Sequence, residues 1–120
     1  MNKVVLVGRL TRNPDVKQSK TENETRVAAY TLAVPRKWKK DEVDFIRCTS
    51  FGKQAEFAEK YFTKGLRVAI SGRIETDSYT NKNGDRIFTT EVKVEDQEFA
   101  QSKSESDGFI NIDQAELPFS

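Results

Sequence analysis

Apolar and polar residues alternate along most of this chain, and the period is two far more often than three or four. The first run, Lys3-Val4-Val5-Leu6-Val7-Gly8-Arg9-Leu10, is β-branched and apolar, and Asn13-Pro14-Asp15 closes it, which predicts a strand. Residues 17–25 are polar throughout and predict a loop. Arg26 to Val34 predict a second strand that ends at Pro35. Arg36 to Glu42 then read as a charged loop enclosing Trp38, and Val43 to Phe51 as a third strand. At Lys53 the period changes. Ala55, Ala58, Tyr61 and Phe62 recur at spacings of three and four, with Gly65 as a stop, so a short helix is expected over Lys53–Phe62.

After the helix, Leu66, Val68, Ile70, Gly72 and Ile74 alternate with Arg67, Ala69, Ser71 and Arg73, a half-buried strand with a basic outer face. Asn81-Lys82-Asn83-Gly84-Asp85 predicts a hairpin turn, with Asn83-Gly84 taking the positive φ values of a type I′ turn. The returning strand carries Phe88, Thr90, Val92 and Val94 on one face. Three strands, one helix and two strands match an all-β, five-stranded OB-fold barrel with a short helix between strands 3 and 4, where closure hides the strand edges. Periodicity by itself also admits other small α+β folds. Past Phe99, residues 100–108 are rich in Ser, Lys, Glu and Asp and cannot support a core, so a disordered acidic C-terminal tail is expected. The expected division is residues 1–100 as the OB-fold domain and 101–120 as a flexible linker with an acidic tip.

Composition narrows the class. The 120 residues have room for one domain, which at this size buries roughly two-thirds of the surface its unfolded chain exposes. No apolar run approaches the ~20 residues of a membrane span, and the N-terminus enters a strand without a signal-peptide core. Cys48 is the one cysteine and lies in an apolar, strand-like stretch, so a reduced cytoplasmic setting is expected. The net charge of +1 is unevenly divided. Residues 101–120 set Lys103 against Glu105, Asp107, Asp113 and Glu116, a net −3, which leaves +4 on residues 1–100. A basic body suits a polyanionic partner, and an acidic tail suits a different one.

Catalytic chemistry finds few residues to work with. Histidine is absent, Cys48 has no evident base, and no Gly-rich phosphate loop opens a helix. Asp41, Glu42 and Asp44, and the pair Glu95 and Asp96, leave a carboxylate-held magnesium open beside plain solvation. The expectation is a protein that is not an enzyme, with no cofactor and no metal.

Aromatic and basic residues interleave more informatively. Trp38 lies between Arg36-Lys37 and Lys39-Lys40, and burying the indole would drag four cations inward, so it is expected at the surface. Phe45 and Phe51, six apart on one strand, share a face with Arg47 and Thr49, while Ile46, Cys48 and Ser50 form the more apolar set. Period two therefore turns both rings outward, where they can stack on bases. Tyr79 sits beside the hairpin near Arg73, Lys82 and Arg86 and either stacks on a base or serves as a rim hydrophobe. The cationic candidates for phosphate contact are Arg9, Arg36, Lys37, Lys39, Arg47, Lys53, Arg73 and Arg86.

A series of short matches carries a resemblance. They run from Asn2-Lys3-Val4-Val5-Leu6-Val7-Gly8-Arg9-Leu10-Thr11 with Asn13-Pro14 to Tyr30-Thr31-Leu32-Ala33-Val34 and Asp44-Phe45-Ile46. Phe51-Gly52-Lys53-Gln54-Ala55-Glu56, Lys64-Gly65, Gly72-Arg73-Ile74 and Thr89-Thr90-Glu91-Val92 complete the set. In this order and spacing, over Met1 to about Phe99, the chain resembles the bacterial and phage single-stranded DNA-binding (SSB) proteins. The resemblance implies an OB fold, a homotetramer, and cooperative, sequence-independent binding and protection of single-stranded DNA in replication, recombination or repair. It implies a place on the nucleoid in a bacterial cytoplasm, or a phage-encoded counterpart. It also assigns base stacking to Trp38, Phe45, Phe51 and Tyr79.

The chain's end is similar to the family's acidic tip, which recruits replication and recombination proteins. Asp113, Glu116, Leu117, Pro118 and Phe119 supply the acidic, apolar, proline and phenylalanine positions. Ser120 follows the phenylalanine and displaces the α-carboxylate from its ring. Three rival readings stay open on the residues alone: an RNA-binding OB module, a protein adaptor, and a carboxylate-dependent nuclease.

Overall fold

The computed structural model describes residues 1–18 and 25–100. The expected linker and acidic tip, 101–120, and most of the expected polar loop, 19–24, lie outside the described residues. The chain forms β1 (Val4–Leu10), β2 (Asp15–Gln18), β3 (Arg26–Arg36), β4 (Lys39–Phe51), α1 (Lys53–Tyr61), β5 (Arg67–Thr80) and β6 (Arg86–Phe99).

Five of these strands close a barrel in the order β1-β5-β6-β4-β3, with β1 returning to pair with β3. All the barrel's pairings are antiparallel except one: β4 meets β6 in parallel, Cys48 opposite Val92 and Thr49 opposite Lys93. The helix between β4 and β5 packs against β3, β4 and β6 and closes one end of the barrel. The expected closed five-stranded barrel with one short helix is therefore present. No helix among the described residues is long and apolar enough to cross a membrane.

The core follows from the period-two pattern. Leu10, Ala28, Tyr30, Leu32, Cys48, Val68, Ile70, Val92 and Val94 line the interior, and Ala55, Ala58 and Phe62 cap it from the helix side. Full burial of each large apolar side chain contributes roughly 1.5–3 kcal/mol. Burial pushes the Cys48 thiol up to about 12, with the nearby Glu91 charge adding to the effect. A bulge in β6 changes which residues face in. Ser71 pairs with Asp96 and Gly72 with Val94, so Glu95 is skipped and Gln97 joins Val92 and Val94 inside. Gln97 is satisfied there: its amide oxygen accepts from the Tyr30 hydroxyl at 2.7 Å and its amide nitrogen donates to the Gln54 carbonyl.

Three local expectations are corrected. Asp15–Gln18, partly read as loop, is a strand, held by pairing with Ala29 to Arg26 of β3 and not by apolar content of its own. The charged loop at 36–42 is mostly hairpin. β3 continues through Pro35 to Arg36, β4 begins at Lys39, and only Lys37 and Trp38 form the turn. Register shifts between Pro35 and Arg36, the irregularity that accommodates a proline without a ladder N–H. The second hairpin does not turn on Asn83-Gly84. Gly84 N–H donates to the Asn81 carbonyl at 3.0 Å, which places Lys82 and Asn83 at the centre and Gly84, at φ 87°, just after it.

Candidate nucleic-acid interface

The outer face of the β3–β4 pair is built by register. Phe45 lies opposite Ala33, Arg47 opposite Thr31, Thr49 opposite Ala29 and Phe51 opposite Val27. Small cross-strand partners leave the two rings uncovered: Phe45 is 68% exposed and Phe51 43%. Cys48 and Ser50, of the other parity, are fully buried. The expected outward orientation of both phenylalanines holds.

Beside Phe51 the surface dips into an open groove of about 300 Å³. Val27, Ala29 and Thr49 form its floor, and Lys17 of β2, Arg47 of β4 and Lys93 of β6 stand around it with Asp15 and Glu91. The Lys93 ammonium lies 5.3 Å from the centroid of the Phe51 ring, a cation–π contact. Glu91 accepts hydrogen bonds from the Thr49 hydroxyl and, at 3.4 Å, from Lys93. Partial burial pushes the Glu91 carboxyl up, but those two bonds and the charges of Lys93 and Arg47 outweigh it and hold the group below its ordinary value.

Trp38 projects from the β3–β4 turn and is 87% exposed, with the Lys37 ammonium 5.2 Å from its ring centroid. The neighbouring carboxylates are engaged by Arg36. Its guanidinium donates to Asp44 at 2.8 Å and to Glu42 at 2.7 Å, and the bonds from Arg36 hold the Asp44 carboxyl below the usual range. Lys39 lies 3.9 Å from Glu42. Arg73 likewise meets Glu75 at 2.8 Å and Glu95 at 3.4 Å, and Lys3 also reaches Glu95. Of the five carboxylates that suggest a magnesium site, Glu42, Asp44 and Glu95 are held in these ion pairs, and Asp96 accepts from the Gln97 N–H at 2.9 Å. Arg9 donates to the Gly65 carbonyl at 2.9 Å, and Lys53 is exposed at the start of α1.

Past Ile74, whose partner Val92 still pairs with Cys48 of β4, the β5–β6 pair runs on as a two-stranded arm. Tyr79, 57% exposed, pairs with Ile87 and shares a face with Arg73, Glu75 and Asp77. Arg86 pairs with Thr80 and so lies on the opposite face. The sequence had grouped Tyr79 with Arg86, and the register separates them.

The candidates thus divide. Phe51 and Arg47 line one groove, with Phe45 on the same strand face, while Trp38 and Tyr79 occupy separate projections. Of the groove's lining, sequence reasoning missed Lys17, Glu91 and Lys93. Lys17 fell in a stretch read as loop. Lys93 and Glu91 were legible as the outward parity of a strand whose Val92 and Val94 face in.

The profile of the single-strand binding protein family matches residues 1–100. A single-stranded DNA-binding protein of Clostridium perfringens is 50% identical over 102 residues, covering 85% of this chain and 67% of its own length. Single-stranded DNA-binding protein 3 of Clostridium acetobutylicum is 44% identical over 117 residues, 95% of this chain and 81% of that one. The single-stranded DNA-binding protein of Halalkalibacterium halodurans is 44% identical over 118 residues, 94% and 69% respectively.

Proposed function

The chain belongs to the single-strand binding protein family and binds single-stranded DNA, and from that premise we propose that it holds the strand by stacking bases on Trp38, Phe45, Phe51 and Tyr79. The observation that carries this reading is the outward pair Phe45 and Phe51 with Arg47 between them, beside a groove rimmed by lysines. Every base has a π-face, so stacking tolerates any sequence, and duplex DNA keeps those faces inside its own stack. Phosphates meet Lys37, Arg47 and Lys53 from the initial set, and Lys17 and Lys93 besides. Arg9, Arg36, Lys39, Arg73 and Arg86 contribute once their present contacts rearrange.

The assembly is a homotetramer in this proposal. Support comes from β1, where Val5, 69% exposed, and Val7 stand on the outer face opposite Ser71 and Ala69. Residues 1–100 act as the DNA-binding domain. The acidic tip, Asp113, Glu116, Leu117, Pro118 and Phe119, recruits replication and recombination proteins. The protein works by binding and protecting the strand in a bacterial cytoplasm, without catalysis.

Trp38 is the one tryptophan, so its emission reports on the site directly. Oligothymidylate should quench it, and a duplex of equal length at the same salt should not. Equal quenching by both, or by neither, would overturn the stacking reading.

A further inference from the structure

The β5–β6 arm has two faces, and only one carries Tyr79. The other carries Phe88, which is 75% exposed although it shares parity with the buried Val92 and Val94. The arm has run past the end of the barrel by then, so the core-facing side of the strand looks into solvent.

We propose that Phe88 is a further base-stacking residue, and that a single strand contacting Tyr79 crosses the edge of the arm to reach it. This rests on the single-strand-binding reading above. The two strands of this face contribute Ile74, Thr76, Ser78 and Thr80 from β5 and Arg86, Phe88 and Thr90 from β6, without a carboxylate among them. The Tyr79 face sets Glu75, Asp77 and Glu91 against Arg73 and Lys93, one negative charge in excess, while the Phe88 face carries Arg86 alone. A polyanion is therefore repelled less on the Phe88 side than on the side that bears the tyrosine.

Arg86 is placed to assist. Its guanidinium donates to the Ser78 hydroxyl at 3.2 Å, and Ser78 is the cross-strand partner of Phe88. An aromatic ring, a cation and hydroxyl donors thus stand within one pair of each other, the groups that take a base, a phosphate and a sugar. A second copy of the chain suits this face less well. The cores of protein interfaces are apolar and depleted of charge, whereas the immediate neighbours of Phe88 are threonine, serine and arginine. Strand axes in a sheet lie ~5 Å apart, so a ribbon two strands wide presents a narrow edge to cross.

The test uses the full chain and labelled oligothymidylates of increasing length, read by anisotropy, with sedimentation to follow the assembled mass. Phe88→Ala should leave the mass unchanged and bind oligomers long enough to wrap the arm about 5- to 150-fold more weakly, the loss for one stacked base. Phe88→Tyr should restore binding, and 5-iodouracil photocrosslinking of the wild type should tag Phe88. If Phe88→Ala binds every length normally while Trp38→Ala binds weakly, Phe88 lies off the path and the proposal fails alone. A fall in assembled mass for Phe88→Ala would make the face a protein contact and overturn it too. Normal binding by both variants would defeat the stacking reading itself, and this proposal with it.

Discussion

Glu91 is an odd neighbour for a phosphate, and its surroundings explain how it stays. The carboxylate is tied to Thr49 and Lys93, so it orders the groove's floor and holds the lysine beside Phe51. In the stacking proposal, a base settling on that ring would displace the Lys93 ammonium and leave it to a phosphate. Because the carboxyl is held below its ordinary value of 4.5, its interactions stabilise the fold fully above that pH. Their contribution is lost as pH falls through the lowered value, where the folded protein takes up the proton. Denaturant midpoints measured from pH 7 downward should therefore show wild type more stable than Glu91→Gln at neutral pH. The gap should close in acid below 4.5. A gap that is constant with pH would mean that the carboxylate's charge plays no part in the groove.

The elements show where a period-two reading succeeds and where it stops. Strands with one face in the core declared themselves, since Val68 and Ile70, or Ala28, Tyr30 and Leu32, alternate with more exposed residues. Asp15–Gln18 could not declare itself, because its register comes from β3 and its own side chains are polar. The arm was equally opaque: Phe88 has core parity, and nothing local records that the barrel has ended. The same holds for the site. Phe45, Phe51 and Trp38 were legible from parity and flanking charge, whereas the convergence of Lys17, Arg47 and Lys93 needed three strands in register. Gly72 is a position where element geometry permits one residue only. A β-carbon there would lie 2.1 Å from the Lys93 carbonyl oxygen, a backbone atom that cannot swing aside. Gly72→Ala should cost about 3 kcal/mol, the upper end of overpacking losses, read as a lower denaturant midpoint. Gly84→Ala, at φ 87° with open space around the added carbon, should cost only about 1 kcal/mol. Equal losses at the two sites would contradict the close approach of β5 and β6.

At the scale of the molecule, stacking and charge are separable contributions to one affinity. Residues 1–100 carry +4 while residues 101–120 carry −3, so the electrostatic share depends on where cations gather more than on their total. Each phosphate neutralised on a single strand releases condensed counterions, and the logarithm of affinity falls with the logarithm of salt at a slope of about −0.7 per contact. Replacing a groove cation with a neutral residue, Lys93→Gln or Arg47→Gln, should flatten that slope by about 0.7 as well as weaken binding at low salt. Trp38→Ala should behave differently. Removing a stacked ring lowers the affinity, by the ~1–3 kcal/mol measured across single-strand binders of this kind, while the slope stays parallel to wild type. The two classes of variant would respond to salt differently: lysine and arginine variants approach wild type as salt rises, and the tryptophan variant keeps its distance. Titrations at four or more salt concentrations resolve the pattern. Parallel lines for Lys93→Gln and Arg47→Gln would remove the groove from the phosphate path, and a flattened line for Trp38→Ala would mean that the indole acts by placing Lys37.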